Sequence, residues 1–167
     1  IEIRNNQIDK QYIYFGHAHD GVVDVGFNRG SYRPSKVFSV RKYFNRIEFV
    51  EENQSFYFNK NNPLSKAKKA NISSSIMSSS EIIAKDSTQK RFLIKGNDIF
   101  LSEKLLQIKR YTDSKSRRFS LGKLSEAKSK YVDIRNYPQN TEIVVQYTYD
   151  NPTPKRSGSS GITDARS

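Results

Sequence analysis

Two histidines occur in the 167 residues, two apart, as His17 and His19 in "YIYFGHAHDGVVDVGF", residues 12–27. Alternate side chains of a strand share a face, so the pair has the spacing of half a transition-metal site. Such a site needs a third and usually a fourth ligand. The chain has no Cys and no other His, so carboxylates such as Asp20 and Asp24 would have to complete it. A simpler account needs no metal. Asp20-Gly21 is a hairpin signal between two apolar runs. A two-residue loop there sets His17 opposite Asp24 and His19 opposite Val22, which gives both rings a structural setting. We therefore expect no metal, no cofactor and no catalytic residue. Neither a G-x-S-x-G elbow nor a phosphate-binding loop occurs. Glu51 and Glu52 read as exposed carboxylates of a turn.

The second chemical feature is positive charge. The formal net charge is +12. Arg29, Arg33, Lys36, Arg41, Lys42 and Arg46 succeed one another with no acid among them, interleaved with Tyr32, Phe38, Tyr43 and Phe44. Cations among aromatics neutralise phosphates and stack on bases, or they meet an acidic protein surface. These six residues are the expected contact surface. Replacing Arg33, Lys36 and Arg41 together by Ala should weaken binding and spare the fold.

The elements that position these residues read mainly as strands. After the 12–27 hairpin, "RIEFVEENQSFYF" (46–58) alternates on either side of a polar turn. "RFLIKGNDIFL" (91–101) has a Gly96-Asn97 turn that sets Lys95 opposite Asp98 and Ile94 opposite Ile99. "TEIVVQYTY" (141–149) places Thr141, Ile143, Val145, Tyr147 and Tyr149 on one face of a strand. Ser102 is a candidate cap for a short helix carrying Leu105 and Ile108, with a strand as the alternative.

Between the second and third hairpins, residues 60–88 are Ser- and Lys-rich and nearly without apolar period. They read as an inserted loop or arm rather than a strand, with Lys66, Lys68 and Lys69 as its charges and Ile76 and Met77 as its apolar anchors. Residues 151–167, with Lys155, Arg156 and Ile162, read as an extended basic tail. Hydrophobic residues make up 35% and charged residues 28%, too little apolar surface for every segment to fold into one core.

The expected fold is mainly β, antiparallel hairpins forming a sandwich or small barrel over residues 1–150, with the inserted loop and the C-terminal tail projecting. The expected function is that of a non-enzymatic structural subunit of a large assembly, such as a virion, secretion or appendage complex. Its partners would be neighbouring protein subunits, of the same or another kind. Nucleic acid, as in a ribonucleoprotein, is the alternative partner. No apolar run reaches the roughly 18 residues of a membrane span.

Overall fold

The computed structural model describes the chain except residues 22–27, 34, 57, 58, 60, 64, 66–73, 89, 106–121, 153–163 and 167. The fold is mainly β, with every strand pair antiparallel. The chain divides into two compact units, one of residues 1–15 and 34–98, the other of residues 16–33 and 99–167. Among the described residues no helix is long and apolar enough to cross a membrane.

The first unit is a six-stranded sheet of β1 (Glu2–Arg4), β2 (Gln11–Tyr14), β3 (Lys36–Tyr43), β4 (Arg46–Glu51), β5 (Ser75–Asp86) and β6 (Arg91–Ile94). The order β1-β6-β5-β4-β3-β2 makes β2 to β6 a continuous meander, with β1 added beside β6. Register shows which residues share a face. Val40 stands opposite Phe49, Ile47 opposite Ser80, Ile82 opposite Ile94 and Ile3 opposite Phe92. Ile3, Val40, Ile47, Ile82 and Ile94 are buried, so this first face carries the core of the unit. A row of rings crosses the same face, with centroids 5.7 Å apart for Tyr12 and Phe38 and 5.8 Å apart for Phe38 and Phe49.

Three expectations change here. Residues 75–86, expected within the Ser- and Lys-rich arm, form the longest strand, paired to β4 and β6. Its buried positions are Ser78, Ser80 and Ile82, so the period-2 signal is carried largely by serines, which hydropathy does not register. Burial is affordable for Ser80 because its hydroxyl donates to Asp98 Oδ2 at 2.8 Å. The hairpin expected over 46–58 is replaced by β3–β4, closed by Phe44-Asn45. Beyond β4, Asn53 Oδ1 accepts the Ser55 N–H at 2.8 Å in a side-chain turn; Tyr57 and Phe58 lie outside the described residues. The hairpin expected over 91–101 is absent as well. β6 pairs with β5 and β1, and Asn97–Phe100 forms a single helical turn, α1, with Asp98 at its start and Ile99 buried. Asn and Asp open helices as readily as they turn hairpins.

The second unit holds β7 (Lys123–Leu124), β8 (Lys130–Asn136), β9 (Thr141–Gln146), β10 (Thr148–Asp150) and β11 (Asp164–Arg166). β10 lies between β11 and β7, while β8 and β9 form a hairpin. The tail thus ends in an extended segment paired to β10. The strand expected over 141–149 is two strands broken at Tyr147, which is buried and donates its hydroxyl to the Phe100 carbonyl at 2.5 Å. Gly122 holds a φ of 89° against the Asp150 backbone, where any Cβ would collide. Ser102 precedes a 3-10 turn, Glu103–Leu105, and accepts the Lys104 N–H at 3.5 Å. Ile108 lies outside the described residues.

Candidate functional site

The period-2 geometry of β3 divides the expected basic surface. Lys36 and Lys42 lie on the first face of the sheet, with Val40, while Arg41 lies on the opposite face with Ser39 and Tyr43. Arg46 joins Arg41 on that second face through its pairing with Tyr43. The acids absent from residues 29–46 arrive from the end of β4. Lys36 Nζ is 2.7 Å from Glu51 Oε2, and Arg41 is 3.2 Å from Glu52 Oε1, which also accepts the Ser39 hydroxyl at 2.7 Å. Such half-exposed pairs are worth about 0.2–1 kcal/mol each. Arg46 donates to Ser79 Oγ at 2.7 Å, and Lys42 lies over the Phe92 ring at 5.7 Å. Arg33 belongs to the second unit and is only 8% exposed. The expectation that Arg33, Lys36 and Arg41 can be removed together without touching the fold is therefore corrected, because Arg33 is part of an interior. Arg29 is exposed in a turn completed by Gly30 at φ 75°.

Asp9, Lys10, Gln11, Ser39, Arg41 and Glu52 line an open depression of about 380 Å³. Of the arm residues, Ile76 is 55% exposed on β5 and Met77 is half-buried where the β4–β5 register shifts. Lys66, Lys68, Lys69, Lys155, Arg156 and Ile162 lie outside the described residues.

The histidines find local settings. His17 bridges to Tyr32, with ring centroids 6.5 Å apart, and the neighbouring Ala18 N–H donates to the Ser31 carbonyl at 2.9 Å. The partner expected for His17, Asp24, lies outside the described residues. His19 Nδ1 is 3.6 Å from Asp20 Oδ2, and both side chains are exposed. Among the described residues no group of three His, Cys, Asp or Glu is placed to hold a metal ion.

Two features escape a reading by motif. In the second unit Tyr149 is 1% exposed, hydrogen-bonded to Glu103 and close enough to Arg33 to feel its charge. Burial and then the Glu103 bond push the phenol well above its ordinary range, and the Arg33 cation opposes them. Arg33, Glu103 and Tyr149 are far apart in the chain, so no local signal joins them.

The other feature is exposed apolar surface on hairpins. On β8, Val132 is 59% and Ile134 52% exposed, and Tyr137 follows at the turn. Val132 is the extra residue where the β8–β9 register shifts, and Arg135 and Asp133 form an ion pair at 2.6 Å beside it. At the β3–β4 turn, Tyr43 and Phe44 are exposed, with φ of 47° at Phe44. In the sequence Tyr43 and Phe44 stand among the aromatics of the expected contact surface, whereas no motif marks Val132 and Ile134.

Exposed aliphatic side chains flanked by charge suit docking against protein. The family model described as Domain of unknown function (DUF5117) matches residues 31–165. No curated protein and no solved structure matches the chain.

Proposed function

The chain belongs to the DUF5117 family, and from its surface we propose a non-enzymatic structural and interaction subunit that joins neighbouring protein subunits of a larger assembly. The observation that carries this reading is the β8–β9 hairpin. Its residues Val132 and Ile134 are 59% and 52% exposed on a two-stranded sheet. A hairpin of two strands is marginal in water by itself. Covering a Val or Ile side chain fully is worth about 1.5–3 kcal/mol, so a protein laid over β8 gains from both residues.

Protein is favoured over nucleic acid by the charge arrangement. A phosphate strand follows cations along one face, whereas β3 divides its cations between two faces and pairs two of them with Glu51 and Glu52. The test places a photo-cross-linking residue at Val132, and as a control at Lys85, in cells that make the protein. A discrete protein adduct from Val132 alone is expected, and Ile134→Asp should abolish it. Mixed-sequence RNA and DNA should show no saturable binding at physiological salt. Tight, steeply salt-dependent RNA or DNA binding without a protein adduct would overturn the reading.

A further inference from the structure

The segment Lys42-Tyr43-Phe44-Asn45-Arg46 closes β3 onto β4. Tyr43 and Arg46 are the last cross-strand pair, so the loop is the two residues Phe44 and Asn45. Phe44 has φ of 47°, a region where Gly, Asn and Asp are at home and a bulky ring is strained. Asn45, which tolerates that region better, stands at the neighbouring position. The fold therefore keeps an aromatic ring at the more demanding place, and such local strain clusters at sites of contact.

What the strain presents is a pair of exposed rings. Phe44 is 79% exposed and Tyr43 60%. Their centroids are 4.7 Å apart at an interplanar angle of 86°, so each ring covers an edge or face of the other. The pair is a compact apolar knob, not two parallel plates for successive bases. Its base is fixed. The Ile82 N–H donates to the Asn45 carbonyl at 2.9 Å, Arg46 donates to Ser79, and Lys42 rests over Phe92. Lys42 and Arg46, both exposed, flank the knob on opposite faces of the hairpin. In register, Glu81 on β5 stands directly opposite Arg46, level with the turn, and Glu48 stands opposite Arg41, two residues farther from the tip along β4.

We infer that this turn is a membrane-contact point, which seats Phe44 and Tyr43 among the headgroups and upper acyl chains of an anionic bilayer while Lys42 and Arg46 meet lipid phosphates. Aromatic rings with a polar or cationic rim partition to that layer. Basic residues beside them favour anionic over zwitterionic lipid, and a chain of net charge +12 is drawn to such a surface as a whole. The inference does not depend on the β8–β9 hairpin or on its proposed protein partner.

The experiment sediments the full chain with vesicles of phosphatidylcholine and with vesicles of phosphatidylcholine plus phosphatidylglycerol. Binding to the second, weakened by salt, is expected. Phe44→Gly should lower the partition coefficient roughly tenfold or more, in line with the loss of one buried ring, and should raise the urea midpoint, because it relieves the strained φ. Phe44→Asn should behave the same way and guards against a folding defect peculiar to Gly. Lys42→Gln with Arg46→Gln should weaken the preference for the anionic vesicles. Equal partition of wild type into both vesicle types would overturn the anionic assignment. Absence of vesicle binding, or binding untouched by Phe44→Gly, would overturn the inference outright. Phe44-dependent binding of a mixed-sequence RNA in place of vesicles would assign the knob to base stacking instead.

Discussion

Tyr149→Phe removes one oxygen from the interior of the second unit, and its effect on the pH dependence of stability follows from the surroundings of that oxygen. The Tyr149 phenol is 1% exposed and bonded to Glu103, and both conditions hold it protonated above its ordinary range near 10. An unfolded chain begins to lose this proton at about pH 10; the folded chain does not. Above that pH the unfolded state binds fewer protons, so stability falls as pH rises, with a limiting slope of about 1.4 kcal/mol per pH unit. Below it the contribution is constant. Between pH 10 and pH 11 the wild type should therefore lose about 1 kcal/mol more than Tyr149→Phe. At neutral pH the variant should already be less stable by about 1–3 kcal/mol, since the half-buried Glu103 loses a donor. Urea unfolding followed by circular dichroism, stepped from about pH 8 to pH 11, measures both. The other tyrosines contribute equally to the two proteins, so the difference between the curves isolates Tyr149. Parallel curves through that window would refute the reasoning, because a buried phenol that titrates normally is not held by its surroundings.

Ile47 is fully buried in the six-stranded sheet, and Ile47→Ala should cost about 2–5 kcal/mol in urea unfolding. Ser80→Ala should cost about 1 kcal/mol by removing the donor to Asp98. Ser78→Ala should be neutral or stabilising, because the buried Ser78 hydroxyl has no hydrogen-bond partner among the described residues; a larger loss at Ser78 than at Ser80 would reverse this account. Arg33→Ala should destabilise the protein measurably, whereas Lys36→Gln should change stability by less than about 1 kcal/mol, the scale of a half-exposed ion pair. Equal effects of the two would show that burial of Arg33 carries no energetic weight.

Alternation in the sequence was enough to establish a mainly β chain. It also located the extended segment of β9 and β10, though as one strand over 141–149. These are local properties, set by the two-residue period of a strand and by the turn chemistry of Gly, Asn and Asp. Pairing was not legible in the same way. The alternation of 91–94 suits a hairpin with 98–101 as well as it suits a strand beside β5, and only the distant partner distinguishes the two. For β5 the local signal was misleading, since a serine face reads as polar until an acceptor, here Asp98, is brought to it from 18 residues along the chain.

The chemistry of the surface divides along the same line. Composition alone determined that the protein is strongly basic, lacks thiols and has two histidines with no third to join them. Whether the cations of residues 29–46 act together was decided by the sheet, because the pleat sends Lys36 and Arg41 to opposite faces and the β3–β4 register carries Glu51 and Glu52 back to meet them. Tertiary structure alone placed Arg33 and Glu103 beside Tyr149 and left Phe44 exposed at a strained turn. Sequence specifies which side chain a residue has and which face of its own strand it occupies. Exposure, charge pairing and proton affinity are set by neighbours that the chain supplies from elsewhere, and those exist only once it is folded.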